Sequence, residues 1–334
     1  MLSVDSVILG DFGAAAVLVS LGAVAGKCSI FQLWILVTLE VVLYTLNEAI
    51  CVNFFQTVDT GGAMYVHVFG AYFGLAASYF FKPSRAIQDP EERTRASYNS
   101  TMMALLGAMF LFVYWPSFNG ALASPSQHQR VFVNTVMALC ASCITACGIS
   151  RLVYQRLTTK VVFNATLAGG VAIGSASSLI VSAYIAMCIG AAAGFVAVLG
   201  ELKLARVFQE RLKLHDTRGV NNLHGMPGIL GGLAGSLATT LSAQTFNEDG
   251  IDQIFAAVDD GRTVQQQGLY QALALAVSLG MAIVGGLVVG FLVQNCCSVD
   301  NQFDDEEHFQ EVFYDIPMED IPLKEKEMKV MNQE

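Results

Sequence analysis

The chain has 334 residues, of which 54% are hydrophobic and only 14% charged, and its mean hydropathy is +0.52. Soluble domains usually carry about 25% charged residues, so this composition excludes an ordinary soluble protein. The formal net charge is −10, but much of the excess lies in roughly the last tenth of the chain, and this distribution does not indicate nucleic-acid binding.

Apolar segments recur about every 25 residues, separated by short polar connections, which is the pattern of a polytopic helical membrane protein. We predict an all-α transmembrane bundle over residues 1–294 and an acidic, largely disordered cytoplasmic tail over 295–334. In chain order, the nine predicted spans are about 8–26, 31–55, 61–81, 100–118, 131–150, 161–181, 183–202, 222–241 and 268–293.

The positive charges predict the orientation of these spans. Of the 18 Lys and Arg residues, all but Arg130 and Arg262 fall on one face of the predicted bundle. Cytoplasmic loops of membrane proteins carry an excess of Lys and Arg, so this face and the C-terminal tail are predicted to be cytoplasmic. The N-terminus then lies outside, although no basic segment or cleavable signal follows Met1.

A nine-residue pattern, D-T-x-G-x-x-x-x-H, occurs twice. The copy from Asp59 to His67 opens the third span from the outer face, and the copy from Asp216 to His224 opens the eighth span from the inner face. Inverted repeats of this kind place their site near the membrane midplane. Eight residues at ~1.5 Å each put each His ~12 Å in from its Asp, so in a ~30 Å hydrocarbon core the two histidines lie within ~6 Å of the same depth.

Ionisable groups are costly at that depth, so the pair of His67 and His224 predicts a functional site. Burial disfavours the charged imidazolium form. A neutral pair can share one hydrogen and still offer a passing small molecule a donor and an acceptor. Asp59 and Asp216 are most simply helix N-caps beside this site.

Two further carboxyl groups, Glu40 and Glu48, lie within the second predicted span. Each either lines a vestibule or is a buried hydrogen-bonded group. The repeat also predicts that the chain is incomplete. Five spans separate the starts of the two copies, so a complete pair of five-helix units would need two more helices before residue 8. We therefore expect N-terminal helices to be missing from the first repeat.

Four runs of residues are specific to one protein family. They are Val66-His67-Val68-Phe69-Gly70-Ala71-Tyr72-Phe73-Gly74, Tyr114-Trp115-Pro116-Ser117-Phe118-Asn119, Asn164-Ala165-Thr166-Leu167-Ala168-Gly169-Gly170 and Asn222-Leu223-His224-Gly225-Met226-Pro227-Gly228. On these runs the chain resembles the ammonium transporter and Rhesus (Rh) glycoprotein family, on the Rh side. Members of that family typically have more spans than this chain, which agrees with the missing helices.

The resemblance implies a plasma-membrane homotrimer or Rh-type heterotrimer, with no cofactor and no enzymatic activity. Each subunit would have its own narrow hydrophobic pore for ammonia or ammonium. His67 and His224 then match the paired pore histidines, and Phe12 and Phe118 match the stacked aromatic pair that closes the outer vestibule. An isolated cation is costly to move through a dry apolar tube, which favours passage of neutral NH3.

Three alternatives stay open. The two histidines could be ligands of a membrane metalloenzyme, which would need a third protein ligand. The chain could instead be a non-transporting Rh-type subunit or scaffold, or a channel for CO2. The acidic tail has its own alternative, a docking peptide for a cytoskeletal or sorting partner.

Overall fold

The predicted all-α bundle is confirmed by a computed structural model, which describes residues 3–81, 97–155, 157, 159–212, 214–242, 250–251, 253–296 and 302–303. Ten helices follow one another in this part of the chain. They are α1 (Val4–Val24), α2 (Ile30–Ala49, continued by a π-helical turn Ile50–Phe54), α3 (π-helical turn Ala63–Val68, then Phe69–Ser78), α4 (Tyr98–Gly120), α5 (His128–Tyr154), α6 (Thr159–Ile173, then a 3₁₀ turn Gly174–Ala176), α7 (Ala183–Leu199, continued by turns to Leu212), α8 (π-helical turn Asn221–Gly225, then Met226–Leu241), α9 (Ala256–Asp259) and α10 (Val264–Gln294).

Every predicted span contains a helix, but the helices are not equally long. Six are long and apolar enough to cross a membrane: α1, α2, α4, α5, α7 and α10. The first histidine lies in α3, a shorter apolar helix over Ala63–Ser78. The predicted span 61–81 is therefore longer than its helix, because α3 begins at Ala63 and ends at Ser78. Most of the predicted tail, residues 295–334, lies outside the described residues.

Hydroxyl side chains begin three of the long helices. Ser3, Ser29 and Thr263 each accept the backbone N–H three residues later, and the side chain at that later position accepts the N–H of the capping residue in return. These reciprocal bonds satisfy backbone donors that a helix start leaves unpaired. They fix where α1, α2 and α10 begin.

Contacts along α1 show that α3 and α8 enter the bundle from opposite ends. A methyl group added to Gly62, just before α3, would lie 3.9 Å from the Phe12 ring. Just before α8, the Arg218 N–H donates to the Gly22 carbonyl at the other end of α1 (3.2 Å). Ten helical residues between Phe12 and Gly22 span about 15 Å. We call these two regions the Phe12 end and the Asp216 end of the bundle.

Four pairs of glycines spaced four residues apart hold neighbouring helices in backbone contact. The glycines face the following residues: Gly70 and Gly74 face Ala16 and Ser20, Gly190 and Gly194 face Ala138 and Ser142, Gly231 and Gly235 face Ala172 and Ser175, and Gly286 and Gly290 face Phe73 and Ala77. A side chain at any of these glycines would meet backbone atoms. This close approach is what small-residue spacing provides in membrane bundles.

We predict that Gly190→Ala destabilises the protein by about 1–3 kcal/mol, the range observed for overpacked cores. An added Cβ would lie 2.6 Å from the Ala138 Cα, so α5 and α7 would have to separate. Thermal unfolding of the detergent-solubilised chain measures the effect. Gly148→Ala is the matched control, because nothing lies within 4 Å of that added Cβ. Equal unfolding temperatures for the two variants would contradict the prediction.

Candidate functional site

His67 and His224 lie side by side in the middle of the bundle. Their Nδ1 atoms are 3.1 Å apart, and the two rings stack with centroids 5.1 Å apart and an interplanar angle of 19°. His67 is buried and His224 is half-buried. An Nδ1-to-Nδ1 bond needs one donor and one acceptor, which is how two neutral imidazoles share a single hydrogen. Each ring then keeps its Nε2 for another molecule.

The shape of the repeat explains how the two rings meet. Each histidine lies in a π-helical turn, Ala63–Val68 or Asn221–Gly225, that precedes regular α-helix. The fourth residue of each copy is a glycine with positive φ, +66° at Gly62 and +76° at Gly219. Only glycine adopts this conformation without strain. The glycine therefore turns the chain into the helix at the same position of each copy.

The two aspartates hold the starts of these helices. Asp59 is buried, and its Oδ2 accepts the N–H groups of Met64 (2.8 Å) and Tyr65 (2.9 Å), while its Oδ1 accepts from the Ser175 hydroxyl. Asp59 is thus placed where the sequence analysis expected a helix cap, with its carboxylate on backbone N–H groups that the helix start leaves unpaired.

Asp216 repeats the arrangement at the other end. Its Oδ1 accepts from Gly219 N (3.0 Å) and Val220 N (2.9 Å), and its Oδ2 accepts from Asn221 N (2.9 Å). One carboxylate on three successive N–H groups fixes the direction in which α8 leaves the turn, and with it the position of His224.

An aromatic column covers the histidine pair from the Phe12 end. Phe12 and Phe118 stack with ring centroids 4.7 Å apart and an interplanar angle of 28°. The Phe118 ring in turn lies 5.8 Å from the His67 ring. Phe12, Phe118, His67 and His224 therefore contact one another in sequence, with the Phe118 ring tilted by 45° against His67, and the two phenyl rings lie on the Phe12 side of the imidazoles.

Trp115 belongs to the same site, and sequence reasoning did not assign it a role. Its ring stacks on His67 at 5.8 Å and contacts Phe118 edge-on at 6.2 Å. Trp115 precedes Phe118 by three residues on α4, so both lie on one face of that helix. This spacing is the one signal that could have indicated that both residues face the histidines.

The two intramembrane glutamates differ in their surroundings. Glu40 is fully buried and bonds the Ser20 hydroxyl, which also lies 2.7 Å from the Gly70 carbonyl. The Ser20 hydroxyl thus donates to Glu40 Oε1 or to the Gly70 carbonyl, and Glu40 Oε2 is buried without a hydrogen-bond partner among the described residues. Glu40 is thus the buried hydrogen-bonded group of the two alternatives. Glu48 is half-buried one turn beyond Tyr44, within electrostatic range of Asp59.

The structure offers no support for metal ligation by the histidines. Within the described residues, no group of three or more His, Cys, Asp or Glu side chains could hold a metal ion. A catalytic metal normally has three protein ligands and one open position. Here the two Nδ1 atoms bond each other.

A buried lysine holds the segment that leads into α8. Lys27 lies in the connection between α1 and α2, is 1% exposed, and its Nζ donates to the His215 carbonyl (2.6 Å). Burial lowers the pKa of Lys27 from 10.5 to about 8, which the nearby Asp216 and Cys28 partly oppose. Beside it, the Phe303 N–H donates to the Gly26 carbonyl (2.6 Å).

We predict that Lys27 makes the stability of the protein rise with pH between 7 and 9. Above pH 8 the folded chain releases the Lys27 proton, whereas the unfolded chain keeps it up to about pH 10.5, so unfolding takes up a proton. The gain should be about 1 kcal/mol over this window. Burial also raises the pKa of the Cys28 thiol from 9.0 to about 12, which acts in the opposite direction, weakly between pH 8 and 9 and mainly above pH 9.

Thermal unfolding of the wild type at pH 7, 8 and 9 should show this rise, and Lys27→Met should flatten it. Lys203→Met, at an exposed lysine, is the control and should keep the slope of the wild type. The same slope in the wild type and in Lys27→Met would refute the assignment.

Comparisons with known proteins all point to the same family. Residues 2–314 match the Ammonium Transporter Family. The ammonium transporter Rh type B-A of Xenopus laevis is 43% identical over 296 residues, which is 87% of this chain and 64% of that protein. The human ammonium transporter Rh type C is 37% identical over 321 residues, which is 94% of this chain and 66% of that protein. The chain thus spans about two thirds of the length of these curated relatives.

A solved structure of Rh50 from Nitrosomonas europaea, described as one of the Rhesus protein family of channels, superposes with a TM-score of 0.77 at 28% identity. The superposition covers 99% of this chain and 79% of the Rh50 chain.

Proposed function

The chain belongs to the ammonium transporter family and is an integral membrane protein, and we propose that it conducts ammonia across the plasma membrane. His67 and His224 would line the pore, and Phe12 and Phe118 would form its outer gate. The observation that carries this proposal is the 3.1 Å contact between the two imidazoles, next to the stacked rings of Phe12 and Phe118. The Rh relatives named above carry the substrate in their names, and the chain shares the fold of Rh50.

The geometry favours neutral ammonia as the species that passes the histidines. Two imidazoles that share one hydrogen present an N–H donor and a lone pair without any net charge. NH3 has both a lone pair and hydrogens to match them. An ammonium ion would have to leave water and pass Phe12, Phe118 and Trp115 with no anion at the histidines, and an uncompensated charge is very costly in such surroundings.

The gate requires a movement of one ring. Phe12 and Phe118 stack within van der Waals contact and cover His67, so a molecule reaches the histidines from the Phe12 end only when one ring swings aside. Ammonium would collect above the rings, near the carboxyl group of Glu48, and lose a proton there. NH3 would then cross along the histidine pair and regain a proton beyond His224.

The proposal also includes the oligomeric state of the protein and its orientation in the membrane. The family resemblance favours a homotrimer or an Rh-type heterotrimer with one pore in each subunit. The distribution of Lys and Arg favours a cytoplasmic C-terminal tail, with the Asp216 end of the bundle facing the cytoplasm. Both can be tested on the purified chain, by its mass in detergent and by protease access in sealed vesicles.

We predict that His67→Ala and His224→Ala each lower uptake of radiolabelled methylammonium into proteoliposomes at least tenfold. Removal of one ring takes away one hydrogen-bonding partner of a passing molecule where no water replaces it, and a loss of about 1.4 kcal/mol at that point corresponds to a factor of ten in rate. Initial rates are compared at equal protein content after correct insertion has been checked.

His128→Ala is the control, because His128 is exposed at the start of α5 and bonds only the Ala123 carbonyl among the contacts described here (2.9 Å). It should transport like the wild type. Equal uptake by the wild type and all three variants would show that transport does not depend on the histidine pair. A correctly inserted wild type that takes up no more than empty vesicles would overturn the proposal and favour the non-transporting subunit.

A further inference from the structure

The residue before each repeat aspartate is held by a buried side chain from a distant part of the chain. At the Phe12 end, Gln271 of α10 binds both backbone groups of Val58. Its Nε2 donates to the Val58 carbonyl (2.6 Å), and its Oε1 accepts the Val58 N–H (3.0 Å). Gln271 is fully buried. One amide side chain thus pairs with Val58 as a neighbouring β-strand would, immediately before Asp59.

Lys27 has the equivalent place at the second copy of the repeat. Its Nζ donates to the carbonyl of His215, the residue before Asp216 (2.6 Å), and the lysine is 1% exposed. A charged donor forms a stronger hydrogen bond than a neutral one. The two copies therefore share a further feature besides their aspartate, glycine and histidine. In each copy, a buried side chain fixes the backbone one residue before the aspartate.

Each of these anchoring side chains comes from outside the copy that it holds. Lys27 precedes both copies and bonds the residue before the second, 188 residues away along the chain. Gln271 follows both copies and bonds the residue before the first, 213 residues away. The start of each histidine helix is therefore fixed relative to the rest of the bundle, and not only within its own turn.

The Phe12 end has a second anchor one turn earlier on α10. Gln267, also fully buried, donates to the Gln56 carbonyl (2.9 Å) and accepts from Arg262 (2.7 Å). The same Arg262 nitrogen donates to the Phe55 carbonyl (2.6 Å). Because Gln267 and Gln271 are four residues apart, they lie on one face of α10. This face holds the backbone of the connection that leads into the first copy.

The anchors act on the histidines through the two aspartates. Asp59 accepts backbone N–H groups of the turn that carries His67, and Asp216 accepts those at the start of the turn that carries His224. A shift of the backbone before an aspartate therefore moves the carboxylate, the turn and the ring together. The two Nδ1 atoms are 3.1 Å apart. A contact of about 3.6 Å is no longer a hydrogen bond, so separation by about 1 Å breaks it.

We propose that Gln271 and Lys27 are positioning residues of the pore, which keep His67 and His224 at the distance at which they share one hydrogen. This inference rests on the proposed function, because it names the residues that hold the two pore imidazoles in register. Gln271 acts on the His67 side and Lys27 on the His224 side. Each positioning residue thus has its own partner histidine, and the two effects can be tested separately.

The first test is methylammonium uptake into proteoliposomes by the full chain. Gln271→Met and Lys27→Met should each lower uptake about tenfold, because methionine removes the bonds to the backbone and keeps a long side chain. Misplacement by about 1 Å can cost a factor of about 100 where two groups must be held in register. Gln265→Met and Lys203→Met are the matched controls, since both residues are exposed. Both controls should transport like the wild type.

A double-mutant cycle separates positioning from general destabilisation. In a His67→Ala background, Gln271→Met should lower uptake no further, because the ring that it positions is absent. The same should hold for Lys27→Met in a His224→Ala background. Unfolding temperatures should change by the same amount in both backgrounds, since the lost backbone bonds are the same. A further tenfold loss of uptake in the histidine variants would show a merely structural role and overturn the proposal.

A second measurement does not require transport. In protein with isotopically labelled histidine, the nitrogen resonances of an imidazole report whether each nitrogen donates or accepts a hydrogen bond. The signals of His67 and His224 are assigned by their loss in the two alanine variants. Gln271→Met and Lys27→Met should shift these signals, and the two control variants should leave them in place.

Gln271→Asn gives the same test with an amide at the buried position, and serves where Gln271→Met does not fold. Its shorter side chain binds Val58 only if the backbone moves toward α10, so it should also shift the imidazole signals. Unchanged signals in the folded Gln271 variants and in Lys27→Met would refute the positioning role. Shifted signals in a protein whose wild type takes up no methylammonium would refute the proposed function and leave the positioning role standing.

Discussion

The fold depends on two helix starts whose first backbone N–H groups are held by a carboxylate, which is buried at Asp59 and half-buried at Asp216. A helix start leaves about four such donors unpaired, and each is costly to bury. Asp59 and Asp216 satisfy them with carboxylates. Because each aspartate precedes its histidine by eight residues, the same two contacts that make the buried starts tolerable also set the depth of His67 and His224. The same bond between an aspartate carboxylate and backbone N–H groups, present at both helix starts, thus stabilises the fold and positions the site.

Much of this arrangement could be predicted from the repeat, because two copies in opposite orientations bring the same residue of each copy to a similar depth in the membrane. It predicted that the two histidines meet, and their Nδ1 atoms lie 3.1 Å apart. It did not predict the π-helical turns that carry them. Hydrophobic periodicity does not distinguish one extra residue in a turn from a shift in helix boundary. The glycine of the repeat was visible in the sequence, but its positive φ became evident only in the structure.

Other residues escaped the sequence analysis for different reasons. Trp115 lies in an apolar helix, where an aromatic residue facing a pore looks the same as one in a core. The seventh predicted span ends at about residue 202, where hydropathy drops because Lys203 and Arg206 follow. The helix itself continues to Leu212. Charged residues end an apolar segment in the sequence, but they do not end the helix, because backbone hydrogen bonds continue where the surroundings become polar.

The glycine contacts determine what kind of motion the protein can use. Along α1 with α3 and along α5 with α7, backbone rests against backbone at two successive turns, without long side chains between them. Such an interface has no compressible layer between its helices, so α1 with α3, and α5 with α7, each move as one unit. The parts free to move are individual rings at the ends of the stack. Rotation of a side chain takes far less time than displacement of a domain, which takes microseconds to milliseconds. Under the proposed function, rotation of Phe12 or Phe118 is therefore the fastest movement that could open the way to the histidines.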